Sequence, residues 1–185
     1  MRLDDRARKL EGEKIELRRH ARENYHLYAE WYGDPEIWHL TSWAPSPLGR
    51  AAVERLFEDR ELSPTDDSFA IHIKGSDVPV GVISLMNKSE TNASAELSVI
   101  VGRQGDRHQG YGTDAIDRLL RYAFEELGLN RVCLSVFDFN EQATSAYEKL
   151  GFVEEGRFRQ AIRRRSGFHD AILMSILSSE WESRS

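Results

Sequence analysis

Apolar and polar positions alternate or recur along this chain in segments short enough to be single elements. Lys14-Ile15-Glu16-Leu17-Arg18 alternates with a period of two and predicts a first strand. Arg22 to Trp31 predicts a helix stopped by Gly33-Asp34-Pro35, and Ala51 to Leu62 a second one ended near Ser63-Pro64. Between them Ile37 to Pro47, with Trp38, Trp43 and two prolines, keeps neither period and is expected to be irregular. Phe69-Ala70-Ile71-His72-Ile73, closed by Gly75-Ser76-Asp77, predicts a hairpin with Val80 to Met86. After a polar turn at Glu90 to Ser94, Ala95 to Val101 is the next expected strand.

Ala115, Ile116, Leu119, Leu120, Ala123, Phe124 and Leu127 then recur at three- and four-residue spacing. They predict a helix from Thr113 to Leu127 with one buried stripe, stopped at Gly128. Val132, Leu134 and Val136 alternate in a further strand, and Glu141 to Leu150 reads as a short helix between an N-cap at Asn140 and a stop at Gly151. Phe152 to Ile162 and Phe168 to Leu177 are the last strands, about an Arg-rich turn ending in Ser166-Gly167. The order β-α-α-β-β-β-α-β-α-β-β puts three antiparallel strands before βαβ-type crossovers. It predicts an α+β (mixed α/β) fold: a central mixed, mostly antiparallel sheet of about seven strands flanked by about four helices. One domain is expected over residues 13–185, after a polar arm at residues 1–12, frayed or loosely helical.

Composition narrows the class without fixing it. At 185 residues, 40% hydrophobic and 30% charged, the chain can bury a substantial core. No stretch approaches the roughly 18 apolar residues of a membrane span. The opening Met1-Arg2-Leu3-Asp4-Asp5-Arg6 has no apolar core behind it, so no secretory signal is expected and the cytoplasm is the default. The single cysteine, Cys133, lies in a predicted strand and reads as a small buried hydrophobe. A net charge of −6 argues against a nucleic-acid partner and is compatible with a cationic acceptor. No His/Cys/carboxylate cluster has metal-ligand spacing, so no metal is expected, and no Ser/His/Asp set is legible. Oligomeric state is not readable, and a homodimer through a sheet edge is compatible with the pattern.

The chemistry concentrates where a predicted strand gives way to a predicted helix. Arg107-His108-Gln109-Gly110-Tyr111-Gly112 places two glycines ahead of that helix. Glycines let backbone N–H groups approach a ligand, and a helix N-terminus adds unpaired amides and positive dipole. Together these make a diphosphate cradle or an ordinary strand–helix turn. Further on, Asn140 and Tyr147 stand seven residues apart, about 10 Å along one helix face, before Leu150-Gly151-Phe152.

With these residues the sequence resembles the GNAT family of acyl-CoA-dependent N-acetyltransferases. Arg107-x-x-Gly110-x-Gly112 is similar to the family's Q/R-x-x-G-x-G/A diphosphate loop. Asn140-x-x-Ala143-x-x-x-Tyr147-x-x-x-Gly151-Phe152 is similar to its second signature. Gly110-Tyr111-Gly112-Thr113-Asp114-Ala115, Gly151-Phe152-Val153-Glu154-Glu155-Gly156 and His169-Asp170 look most like the branch of ribosomal-protein N-terminal and spermidine N-acetyltransferases. The likeness spans about residues 13–182. It implies a sheet whose fourth and fifth strands splay apart beside Ala95–Val101, acetyl-CoA as co-substrate and an amine acceptor, a protein N-terminus or a small amine such as a polyamine.

The same resemblance implies site residues. Gln109, Gly110, Tyr111, Gly112 and Thr113 would hold the diphosphate, with Arg107 and His108 beside them. Backbone groups of Val99, Ile100 and Val101 would pair with pantetheine, and Asn140 would bond its arm. Tyr147, with an ordinary pKa near ~10, would protonate the departing thiolate. Glu96 would serve as base through a water, oriented inward with Ser98 and Ile100; a cross-strand salt bridge is its other reading. Arg107 is expected to touch phosphate, His108 to be solvated, and Tyr147 could otherwise be core. Trp31, Trp38 and Trp43 are expected to form a satellite core rather than wall the acceptor site, His169 and Asp170 to be structural rather than border the acceptor pocket, and Arg163-Arg164-Arg165 to be a solvated hairpin tip. A catalytically silent CoA-binding sensor of the same fold is the alternative. A P-loop is excluded by the missing Gly-Lys-Ser/Thr, and a Rossmann loop fits poorly because Ala115 stands in place of its last glycine.

Overall fold

A computed structural model of the chain describes residues 9–183. Eight strands form one sheet in the order β1-β2-β3-β4-β5-β6-β8-β7. They are β1 Leu10–Glu11, β2 Ile15–Arg18, β3 Asp67–Ile73, β4 Pro79–Ser89, β5 Ser94–Val101, β6 Arg131–Phe137, β7 Val153–Arg164 and β8 Gly167–Leu177. Six α-helices accompany them among the described residues: α1 Tyr25–Gly33, α2 Pro35–Thr41, α3 Arg50–Leu62, α4 Tyr111–Arg121, α5 Glu141–Lys149 and α6 Ser178–Glu182. All neighbouring strands are antiparallel except β5 and β6. The mixed, mostly antiparallel sheet is therefore as the hydrophobic pattern predicts.

Period-two alternation sorts the strand side chains between two cores. Phe69, Ile71, Ile83, Leu85, Ala95 and Leu97 pack toward α4, against Ala115, Ile116, Leu119 and Leu120. Ala70, Val82 and Ile100 face the other way, onto Tyr25, Tyr28, Trp31, Val53 and Phe57 of α1 and α3. Both faces being covered explains why β3 and β4 read as nearly continuous apolar runs. At the end of β5, Gly102 lies on the Trp31 indole so closely that a Cβ there would come within 2.1 Å of it.

Four expectations change. Part of the polar arm, residues 1–8, lies outside the described residues, but Leu10 is buried and pairs with Leu17, so the sheet reaches into that segment. The segment expected to be irregular opens with α2, because Pro35 sits in its first turn and the Asp34 side chain accepts from the N–H groups of Glu36 and Ile37. Proline starts this helix rather than breaking it. The stripe of the long helix shifts where α4 widens into a π-helical turn at Tyr122–Glu126. That turn buries Tyr122, Ala123 and Phe124 in succession and leaves Leu127 on the surface. Cys133 is half-buried, its thiol pKa raised mainly by burial, and it faces the Ala95 carbonyl at 3.7 Å.

Beneath α1 and α3 runs a buried polar chain. The ring nitrogens of His20 bond the Tyr28 hydroxyl at 3.1 Å and the Ser68 hydroxyl at 2.8 Å, and Ser68 meets Ser84 at 2.7 Å. Burial, and then the charge of Arg60, hold the His20 pKa down to about 3. The unfolded chain takes up this proton near pH ~6.5. Between those values the unfolded state binds more protons, so stability falls as pH drops through the window, by up to about 1.4 kcal/mol per pH unit from this residue. Urea denaturation between pH 7 and 4 is expected to trace that slope, and His20→Asn to flatten it. Gly102→Ala is expected to lower stability by about 1–3 kcal/mol in the same assay.

Candidate active site

The site begins where two strands part. β5 and β6 pair in parallel only at Ser94↔Arg131, Ala95↔Val132 and Glu96↔Cys133, while each continues for several residues beyond. The N–H of Gly102 donates to Val80 on the β4 side. By antiparallel alternation, the backbone groups of Ile100 and Ser98 face β4 as well, and those of Leu97, Val99 and Val101 face the gap left by β6. A free strand edge thus runs along the opening, and side chains alternate there too. Glu96 and Ser98 share a face with Ile100, toward α1–α3, while Ala95, Leu97 and Val99 look toward α4.

At the end of that edge the glycine loop turns into α4. Gly110 caps the helix with φ +83°, a left-handed conformation that side chains resist, and a Cβ there would also meet the Lys14 ammonium at 3.3 Å. The next N–H groups, of Tyr111, Gly112 and Thr113, belong to the first helical turn and lack helical partners. A Cβ on Gly112 would stand 3.3 Å from Val101, so helix and strand end are closely packed. The loop is fixed from the far end of the sheet: Asp114 accepts from the N–H groups of Glu13, Lys14 and Ile15 at 2.6–3.0 Å.

Other loop residues divide. Arg107 spends its guanidinium on the Val101 and Gly102 carbonyls and on Glu36 at 2.9 Å, bracing the loop to β5 and α2. His108, also at positive φ, bonds the Gln142 side chain at 2.9 Å. Gln109 is exposed, does not line the cleft, and accepts from Lys14 Nζ at 3.3 Å through its carbonyl. Lys14, almost a hundred residues earlier, is a cation beside the loop that no local pattern announces.

Helix α5 supplies the opposite wall. Asn140 caps it through Ala143 N–H, and its amide nitrogen donates to the Leu40 carbonyl of α2 at 3.2 Å. Tyr147 packs edge-on against Phe152, and burial lifts its phenol to about 12, above the ordinary value. Two cavities open on either side of this pair. One, of about 310 Å³, runs along Val99–Val101 to Arg107, His108, Gly110–Thr113 and Ile116. The other, of about 210 Å³, lies on the α1–α3 side with Glu96, Ser98, Arg60, Trp38, Trp43 and Phe137. Val99, Ile100, Asn140 and Tyr147 line both. The Glu96 carboxylate accepts from the Asn87 side chain at 3.3 Å.

The tryptophans split: Trp31 is core, whereas Trp38 and Trp43 line the smaller cavity. The Arg-rich hairpin tip is not wholly solvated. Arg164 is buried, its pKa lowered by burial, and its guanidinium lies 4.4 Å over Trp38 while donating to the Trp38, His39 and Ser42 carbonyls. It closes the C-terminal end of α2, where a cation complements the helix dipole. A Ser/His/Asp contact also exists that sequence spacing hides. Ser166 meets His169 Nε2 at 2.6 Å, and Asp138 lies 3.3 Å from His169 Nδ1. It lines neither cavity and ties the hairpin to the end of β6. Among the described residues no group of three or more His, Cys, Asp or Glu could hold a metal ion, and no helix is long and apolar enough to cross a membrane.

A sheet parted beside a helix N-terminus, with a two-chambered cleft through the opening, defines a mixed α+β domain built around one site. The family pattern described as Acetyltransferase (GNAT) domain matches residues 14–153, and the chain belongs to that family. Among its relatives, the Bacillus subtilis protein YdaF is 37% identical over 102 residues, 55% of each chain. The spermidine N(1)-acetyltransferase of Vibrio cholerae is 33% identical over 108 residues, 57% of this chain and 61% of the relative. The chain thus spans little more than half the length of these curated relatives. A crystal structure of the Vibrio cholerae spermidine N-acetyltransferase with CoA and spermine superimposes with a TM-score of 0.82 at 24% identity, covering 91% of this chain and 98% of that one.

Arg164→Met is expected to strip three α2-end carbonyls of their donor and to cost about 1–3 kcal/mol. Hydrogen exchange at residues 38–42 should accelerate with it.

Proposed function

We propose that this protein transfers the acetyl group of acetyl-CoA to a primary amine, a protein N-terminus or a small amine. The observation that carries the reading is the free edge of β5 leading from the Tyr147 phenol to the N-terminus of α4. The larger cavity has what acetyl-CoA needs along its length. Backbone groups of Val99 and Val101 pair with the pantetheine amides as an added strand does. The N–H groups of Gly110 to Thr113 receive the diphosphate at the positive helix end, with Lys14 adding charge. Arg107 holds the loop in shape and His108 stands at its rim. The names of the relatives support amine acetylation: one relative acts on spermidine, and its structure holds CoA and spermine.

In the reaction the neutral amine enters from the smaller cavity and attacks the thioester carbonyl. A β5 amide at the gap stabilises the oxyanion. As the C–N bond forms and the C–S bond breaks, the electron pair leaves on sulfur. Tyr147 donates to that sulfur as general acid, and Glu96 takes the proton of the new ammonium through a water. With its pKa raised to about 12, the phenol stays protonated at neutral pH. A thiol of ordinary pKa ~8.5 is the stronger acid, so the phenol assists by hydrogen-bonding the charge that builds on sulfur, and any proton it passes over is regained from solvent.

Tyr147→Phe is expected to lower kcat by about 10²–10⁴-fold in a thiol-release assay, with CoA affinity nearly unchanged by calorimetry. No descending limb from this phenol should appear in the pH–rate profile below about pH 11. Calorimetry that detects no CoA or acetyl-CoA binding at millimolar ligand would overturn the reading.

A further inference from the structure

The smaller cavity carries a separated pair of opposite charges. Among the described residues its lining holds two ionic side chains, Glu96 and Arg60. Arg60, in the last turn of α3, touches only neutral groups: the Tyr32 hydroxyl at 3.3 Å, the Met86 sulfur at 3.5 Å and the face of Phe57 at 5.4 Å. Met86 stands directly opposite Glu96 across β4 and β5, so the two share a face. Guanidinium and carboxylate thus border one chamber without forming an ion pair. Behind the same wall the buried Arg164 lies against Trp38 and bonds the Ser42 carbonyl.

The chamber thus has one cationic wall, at Arg60, and one anionic wall, at Glu96. A polyamine, with an ammonium at every nitrogen, would bring positive charge to positive charge. A molecule with an amine at one end and an anion at the other matches both walls. The volume of about 210 Å³ is that of roughly seven waters at ~30 Å³ each, room for a group the size of one amino acid. Arginine suits a carboxylate because its fork offers paired donors and its charge persists at every working pH.

We propose that the acceptor is an amine that also carries a carboxylate, and that Arg60 is the specificity-determining residue that holds it while the amine faces Glu96. The inference rests on acetyl transfer as the reaction. The carboxylate can belong to a free amino acid or to an acidic first residue of a peptide, and matched pairs separate the two. Thiol release is measured with L-norleucine against pentylamine, with Glu-Ala-amide against Gln-Ala-amide, and with spermidine. At least one carboxylated member is expected to exceed both its partner and spermidine tenfold or more in kcat/KM. Arg60→Gln should bring that pair level through a rise in KM, and Arg60→Lys should restore part of the preference; melting curves report folding.

Spermidine or the uncarboxylated partners used as well as the carboxylated ones would overturn the proposal and leave acetyl transfer standing. So would a preference that survives in Arg60→Gln. No thiol release with any amine, together with no CoA binding in calorimetry, would bring down both readings.

Discussion

The separation of β5 from β6 is the constraint on which the rest of this structure depends. Parallel pairing holds for three residue pairs and then ends, although both strands run on. A strand edge inside a domain normally needs a partner, since each unpaired amide and carbonyl that is buried carries a desolvation cost. Here the backbone groups of Val99 and the N–H of Val101 open on a cleft, where water or an extended ligand can satisfy them. Each wall stays in place through its other neighbour. β5 is zipped to β4 from Gly81↔Val101 to Met86↔Glu96, and β6 to β8 over all seven of its residues.

Keeping such an opening from collapsing requires ties across it that are not strand pairing, and three side chains supply them. Asn140 joins α5 to α2 through the Leu40 carbonyl. Arg164 joins the β7–β8 hairpin to the end of α2. Arg107 joins the loop before α4 to the start of α2 through Glu36. All three converge on α2, a helix of seven residues that could not stand alone. It bridges the mouth of the cleft, and its Ile37, Leu40 and Thr41 contribute to both chambers.

The hydrophobic pattern carried the sheet well, because alternation survives wherever both faces of a strand meet a core. It carried the glycine loop and the α5 signature too, since Gly110, Asn140 and Gly151 occupy backbone positions with strict local demands. What it missed depends on distance. Pro35 reads as a breaker until the Asp34 cap is seen to start a helix there. Arg164 sits in a run of three arginines, and nothing local says which one turns inward. Lys14 reaches the glycine loop and Arg60 the smaller chamber from remote parts of the chain, so no spacing rule could bring them in. The Tyr147 phenol, taken at its solution value from sequence, is displaced upward by burial that only packing reveals.

Asp114 deserves its place beside these residues for a reason of timing. Its carboxylate gathers the amides of residues 13–15 across about a hundred positions of chain. Contacts of such long range form slowly, because the loop they close must first surrender its entropy. During synthesis, the first β-strand of the clasp waits on the ribosome until the fourth helix has emerged. The turn before α4 thus takes its final place only once Asp114 meets residues 13–15, and a nascent chain stopped short of Asp114 would hold five strands of the sheet without that clasp.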